Sequence, residues 1–305
     1  EKLTVFTWKY TGEQLWVARI YSSLFWLIGG IFLYLLARDL FSRDGALFAT
    51  AFYLLLPYGV FASRSFQPDP LMVALIVGFW WAVNHWASII FPPAADDRAG
   101  QLRTGKGSWG WVILASLLGG IAIFVKLNAA FFVIGGALGT TLGRASLRTL
   151  ARNRQVWAMG ILGVLPGLGW VVYGLARGFL GQQFGGRFMP SLLVSPSMYI
   201  GWAQMIGEVL GLLTFILALL GLLLVKDRSN RVVLFGLWGA YFVFAIFFDY
   251  HISTHNYYSL PLVPIAALSL TPLAEAIFAR LMETTSKSGT MRLLVASILT
   301  LSMFS

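Results

Sequence analysis

Apolar stretches close to bilayer-crossing length recur along the whole chain. They lie at about residues 14–37, 46–62, 70–91, 109–125, 129–143, 156–175, 203–225, 232–248 and 257–279, and another begins near Leu293. A hydrocarbon core about 30 Å thick takes roughly 20 helical residues to span. Within it every backbone N–H and C=O must be satisfied by the segment itself or by covering protein. The pattern therefore predicts an all-α, polytopic transmembrane bundle of about nine to ten helices, a single domain over residues 1–305. The pair of short runs flanking Lys126 reads as two spans or as one broken, re-entrant unit. Charged residues are 11% of the chain, against about 25% in soluble domains, which excludes an ordinary water-soluble fold. No fixed-period repeat or low-complexity tract divides the sequence. The absence of cysteine rules out a disulfide, a thiolate nucleophile and a Cys-ligated metal. The chain opens on Glu1 and stops at Ser305 after an apolar run too short to cross, so both ends read as cropped. That leaves room for a signal or a first membrane helix ahead of Glu1.

Basic residues decide the orientation, because Lys and Arg are retained on the cytoplasmic side of membrane-flanking loops. Of the 22, 15 fall in loops of one parity: Arg38 and Arg43; Arg98, Arg103 and Lys106; Arg144, Arg148, Arg152 and Arg154; Lys226, Arg228 and Arg231; Arg280, Lys287 and Arg292. This dispersal accounts for the net charge of +10 and argues against nucleic acid as a partner, which calls for a continuous basic face. The other parity, expected to face the periplasm or exterior, holds Arg64, Asp69, Lys126, Asn128, the segment from Arg177 to Tyr199, and Asp249 to His255.

Several of these residues carry chemistry of their own. Asp69 lies between Pro68 and Pro70 at a helix entrance, where a carboxylate caps backbone N–H groups or, at the mouth of a cavity, takes a proton from a hydroxyl or ligates a divalent cation. Arg64 suits bidentate phosphate binding or snorkelling to headgroups. Lys126, in "IAIFVKLNAAFF", sits between two apolar runs and calls for water, a carboxylate or an anion as a partner, unless it marks an interfacial turn. "FFDYHISTHNYYSLPLVP" carries Asp249, His251, His255, Asn256, Tyr257 and Tyr258. Its His pair is spaced for one helix face, but the neighbouring Ser, Thr and Asn favour a loop, and no zincin Glu follows the first His. The readings left open there are an aromatic interfacial belt, substrate or phosphate contact, and a metal site. His85 reads as a packed or interfacial histidine. The glycine-rich stretch from Ala176 to Met205 suits a surface-lying cover or a passive connector, and Gly135, Gly139 and Gly143 suit close helix packing. Neither a nucleophile elbow nor a Walker loop is present, which removes serine hydrolases and nucleotide-driven pumps from consideration.

The order of these features resembles a known family. "LWVARIYSSLFWLIGGIFLYLLARDLFSRDGALFATAFYLLLPYGVFASRSFQPDPLMV", "GGIAIFVKLNAA" and "HNYYSLPLVPIAAL" are similar to the core of protein O-mannosyltransferase-like membrane glycosyltransferases, which include the aminoarabinose transferase of lipid A. Arg19 matches the arginine opening that family's second membrane helix, and Asp69 its acidic position before the fourth. The resemblance implies a glycosyltransferase C fold of the family 39 type, with a polyprenyl-phosphate sugar donor and a lipid, glycan or protein acceptor. It also implies a multi-pass location in a membrane, expected to be the bacterial inner membrane, with chemistry on the periplasmic or lumenal face. The family's principal catalytic aspartate is then expected upstream of residue 1, because Glu1 and Glu13 lack its Asp-Glu context. Asp69 becomes a secondary acid, while Arg64, Lys126, Arg187, His255 and Tyr257 become the donor and phosphate ligands. A divalent ion held by Asp69 and His255 is the cofactor option left open. Rival readings are a transporter or lipid flippase, for which coupling acids near the midplane and paired halves are expected, and a catalytically inactive relative.

Overall fold

A computed structural model describes residues 2–92, 108–178 and 188–285. These residues form fourteen α-helices and no strand. In chain order they are α1 (Lys2–Thr11), α2 (Leu15–Leu40), α3 (Arg43–Leu55), α4 (Pro57–Ser63), α5 (Asp69–Ile90), α6 (Ser108–Val125), α7 (Ala129–Leu142), α8 (Leu147–Ala151), α9 (Arg154–Ala176), α10 (Pro196–Val209), α11 (Leu212–Leu224), α12 (Arg228–Phe247), α13 (Asp249–Thr254) and α14 (Leu262–Thr285). Two 3₁₀ turns, Pro190–Val194 and Asn256–Ser259, complete the ordered elements.

Six helices, α2, α5, α6, α9, α12 and α14, are each long and apolar enough to cross a membrane. Two further apolar runs, continuous in the sequence, are broken into bent helix pairs, each a broken span or a re-entrant unit. The 46–62 run divides at Leu56–Pro57 into α3 and α4, which bend by 60° because proline at the first position of α4 stops α3 from continuing. The 203–225 run divides at Gly211 into α10 and α11, bent by 90°. Gly211 has φ of +79°, a left-handed conformation that carries no steric penalty only for glycine. The ninth expected span is α7, with 14 residues and a length of about 21 Å. It is shorter than the hydrocarbon core and is wedged between α5 and α12. The run expected near Leu293 lies outside the described residues.

The core is continuous. α5 and α14 are the most enclosed of the long helices, whereas α9 packs mainly on α6 and turns Ile161, Leu165, Leu168 and Val172 outward. In water so large an apolar surface would be unstable; facing acyl chains it costs nothing. Aromatic pairs fix the helix contacts, such as Trp26 stacked on Tyr53 at 4.0 Å between ring centroids. Two buried indole N–H groups find partners across the bundle, Trp80 Nε1 donating to Phe132 O at 2.9 Å and Trp238 Nε1 to Ser269 Oγ at 2.9 Å. α7 and α12 approach most intimately at Gly139 and Gly236, where each glycine lies against the other helix's backbone.

Charged side chains of the described residues are segregated to the two ends of the bundle. At one end Arg144 Nη2 donates to Asn84 Oδ1 (3.1 Å) and Asn84 Nδ2 to Asp39 Oδ2 (3.4 Å), joining the tails of α7, α5 and α2. Burial lowers the Arg144 pKa, and the charges of Asp227 and Asp39 oppose that shift. At the same end Asn230 Nδ2 donates to Leu40 O (2.6 Å), Ser42 N to Glu275 Oε1 (2.8 Å), and the Arg231 guanidinium to Val225 O at the last turn of α11. This end gathers the described loops rich in Arg and Lys. The start of α5 and the end of α6 therefore lie at the opposite end.

Candidate functional site

At that opposite end Asp69 and Lys126 meet. Asp69 is the first residue of α5, pinned there by Pro68 and Pro70. Its carboxylate does not cap the helix: Oδ1 accepts a hydrogen bond from Lys126 Nζ at 2.7 Å. Lys126 ends α6 at the three-residue turn Lys126–Asn128, so the two short apolar runs flanking it are separate helices and the turn between them delivers the ammonium to Asp69. The pair is asymmetric. The Asp69 side chain is 3% exposed and that of Lys126 22%, so the carboxylate depends on this partner while the ammonium retains an outlet to solvent.

Two tyrosine rings cover the ammonium, with Lys126 Nζ 5.1 Å from the Tyr257 centroid and 5.0 Å from that of Tyr258, within cation–π range. Burial, and next the charge of Asp69, raise the Tyr257 pKa. The turn carrying both rings is anchored from below: Ser259 is fully buried and bonded to Tyr241 Oη at 3.0 Å, and Tyr241 accepts from Trp202 Nε1 at 3.0 Å. Tyr258 also stacks on Phe244, with centroids 6.0 Å apart.

The segment expected to be a loop around the two histidines is the short helix α13 followed by the 3₁₀ turn. Helix spacing does bring the rings of His251 and His255 within 5.8 Å, and the His255 ring lies 5.5 Å from that of Tyr257. His255 Nδ1 is bonded to Thr254 Oγ1 at 2.8 Å. Asp249 is fully buried and accepts from Met189 N with both oxygens, at 3.2 and 3.0 Å, tying the Pro190–Val194 turn to α13. Arg64 points elsewhere, into a cleft of about 560 Å³ shared with Arg19, Trp8 and Phe66. His85 packs against Trp111, with centroids 4.2 Å apart. Arg187 lies outside the described residues. Among the described residues no three His, Asp or Glu side chains converge as metal ligands. Asp69 is ion-paired to Lys126, and no third His, Asp or Glu among the described residues joins it and His255, so this donor set falls short of a divalent-ion site.

Two residues of the site, Tyr58 and Glu208, are not singled out by the sequence reading. Tyr58 Oη donates to Asn256 Oδ1 (2.8 Å), and Asn256 Nδ2 donates to Glu208 Oε2 (2.8 Å), linking α4, the 3₁₀ turn and α10. Asp69, Glu208 and Tyr257 all lie close enough to Tyr58 to act electrostatically on its hydroxyl. Glu208 had a legible signal, a solitary carboxylate in the apolar run from 203 to 225. Tyr58, in "LLPYGV", had none beyond its proximity to proline. Asn128, beside Lys126, is buried with its Oδ1 unbonded.

Fold and site together define a multi-pass helical membrane protein with an acid–cation pair under aromatic cover at one end of the bundle. The family model described as dolichyl-phosphate-mannose-protein mannosyltransferase matches residues 3–89, a segment running from α1 to the last turn of α5 and including Asp69. The match bears out the resemblance read from the sequence and points to a membrane glycosyltransferase. No curated protein and no solved structure matches the chain.

Proposed function

We propose that the protein transfers a sugar from a polyprenyl-phosphate donor to a lipid, glycan or protein acceptor at the membrane face opposite its basic loops, the periplasmic or exterior face of a bacterial inner membrane. The observation that carries this reading is the Asp69–Lys126 pair, placed at the end of the bundle away from Arg144, Asn230 and Glu275 and covered by Tyr257 and Tyr258. An anionic leaving group and a nucleophile that must lose a proton call for this combination of a cation and a carboxylate.

In the proposed step an acceptor hydroxyl or amine attacks the anomeric carbon. The new C1–O or C1–N bond forms as the C1–O bond to phosphate breaks, with inversion. The acceptor's proton passes to a carboxylate, and the polyprenyl phosphate departs with the bonding electron pair. Lys126 neutralises charge growing on that phosphate, with Arg187 in support, and Tyr257 and His255 hold the donor, while Arg64, in its separate cleft, is left out of this step. Asp69 orients or deprotonates the acceptor. A phosphate arriving beside Lys126 competes with Asp69 for the ammonium, so donor binding itself frees the carboxylate. The acids favour this reading over a transporter, since Asp69, Glu208 and Asp249 gather at one end of the bundle instead of the midplane.

Incubating the full-length protein with radiolabelled polyprenyl-phosphate sugars and membrane acceptors is expected to move label into an acceptor fraction. Unchanged donor across such a panel would defeat the proposal. The orientation has its own check. Single cysteines at the exposed positions Gln67 and Thr254 are expected to react together with an impermeant thiol reagent added from outside, and labelling from opposite sides would contradict a shared outer site.

A further inference from the structure

We infer that the row Tyr58–Asn256–Glu208 is the subsite that reads the sugar's hydroxyls, and that the sugar it takes is neutral or amino-bearing and carries no carboxylate. This inference rests on the glycosyl-transfer reading and goes further by naming the substrate class.

Three elements distant in sequence contribute one side chain each, and the bonds between them run in one direction. The Tyr58 hydroxyl donates to the Asn256 amide oxygen, and the Asn256 amide nitrogen donates to Glu208 Oε2, both at 2.8 Å. Each member retains unused capacity. Tyr58 Oη keeps acceptor lone pairs, Asn256 a second N–H, and Glu208 its Oε1, which bonds to none of the described residues. A pyranose presents vicinal hydroxyls, each at once donor and acceptor. An edge made of a carboxylate, an amide and a phenol answers that pattern, whereas a purely architectural tie would gain nothing from the spare capacity. Tyr58 and Asn256 are half-exposed and Glu208 exposed, so the edge is open to a ligand. Asn256 adjoins Tyr257, whose ring faces Lys126, so a sugar on this row lies beside the proposed phosphate position.

Charge sets the class. The structure shows ion pairs at Asp69 and at Glu283, and among the described residues none at Glu208. An exposed carboxylate with no cation paired to it repels a second carboxylate and attracts hydroxyl or ammonium donors. A uronic acid brought to this row would meet Glu208 with no cation between them.

The test compares binding of bare polyprenyl phosphate with that of polyprenyl phosphates bearing mannose, glucose, an amino sugar or glucuronic acid, using the full-length protein in lipid nanodiscs. Wild type is expected to bind at least one neutral or amino sugar donor more tightly than the bare lipid, and the glucuronyl donor no more tightly than the bare lipid. Glu208→Gln and Asn256→Ala should cut the preference for the sugar about tenfold to a hundredfold, the range for a hydrogen bond involving a charged group, and leave bare-lipid affinity unchanged. Tyr58→Phe removes only a hydroxyl from an intact ring and should lower the preference by a smaller factor in the same direction. Preference intact in all three variants would overturn the subsite while the transfer reading stands. Tightest binding of the glucuronyl donor would overturn the charge argument. Loss of bare-lipid binding together with the preference in all three variants would assign the row to architecture. Failure of wild type to bind any lipid in the panel would remove the transfer reading and this inference with it.

Discussion

Asp69→Asn in the full-length protein is expected to lower sugar transfer by about a hundredfold to ten-thousandfold, the usual contribution of a positioned proton acceptor, with membrane insertion and expression close to wild type. Asparagine keeps the size of the side chain and its place at the start of α5, and it can still accept a hydrogen bond from Lys126, which is partly exposed and able to remain solvated. What is lost is the negative charge and the capacity to receive a proton. Lys126→Gln behaves differently. It strands a carboxylate that is 3% exposed, and only the positive end of the α5 dipole remains to offset its charge. That variant should therefore lose stability in detergent as well as activity. Transfer by Asp69→Asn at the wild-type rate would confine Asp69 to holding α5 and α6 together.

Gly236→Leu is expected to prevent the bundle from assembling, seen as loss of the monodisperse peak in detergent. Even a single methyl at Gly236 would approach Gly135 O to 2.6 Å and Gly139 Cα to 2.5 Å, both backbone atoms that cannot rotate away. Overpacking of this kind typically costs about 1–3 kcal/mol and more where the backbone must shift. Gly236→Ala should accordingly sit near the top of that range, and leucine beyond it. Gly239→Ala, three residues along the same helix with nothing near its added methyl, is the control and should behave as wild type. Because α7 is too short to be held by lipid alone, displacing α12 removes its principal support and disturbs the turn at Lys126.

Much of this architecture was legible in the residues, because lipid imposes a simple rule on composition and length. All nine apolar runs up to residue 279 correspond to helices or bent helix pairs, and the basic residues at 38 to 43, 144 to 154 and 226 to 231 fall at one end as the charge rule requires. The breaks were less visible. Leu56–Pro57 announces itself through proline, but Gly211 is one of 32 glycines and nothing local sets it apart from those buried mid-helix. The candidate site was legible in part for the same reason. Lys126 between two apolar runs demanded a partner, and Asp69 was an available carboxylate, yet their 2.7 Å contact depends on how α5 and α6 align, which is a property of packing. Glu208 stood out only as a lone acid in the 203–225 run, and its partner depends on the 90° bend at Gly211, which no straight reading of that run contains.

The unequal exposure of the two partners in the Asp69–Lys126 bond has a consequence for idle turnover. A base left open to solvent at a reactive anomeric centre would activate water whenever a donor occupied the membrane without an acceptor. A carboxylate plugged by its own ammonium and shielded by two phenol rings is inert towards water until an anion draws the plug away. On the proposed chemistry the resting protein therefore hydrolyses its donor slowly, and loosening the ammonium should raise hydrolysis relative to transfer.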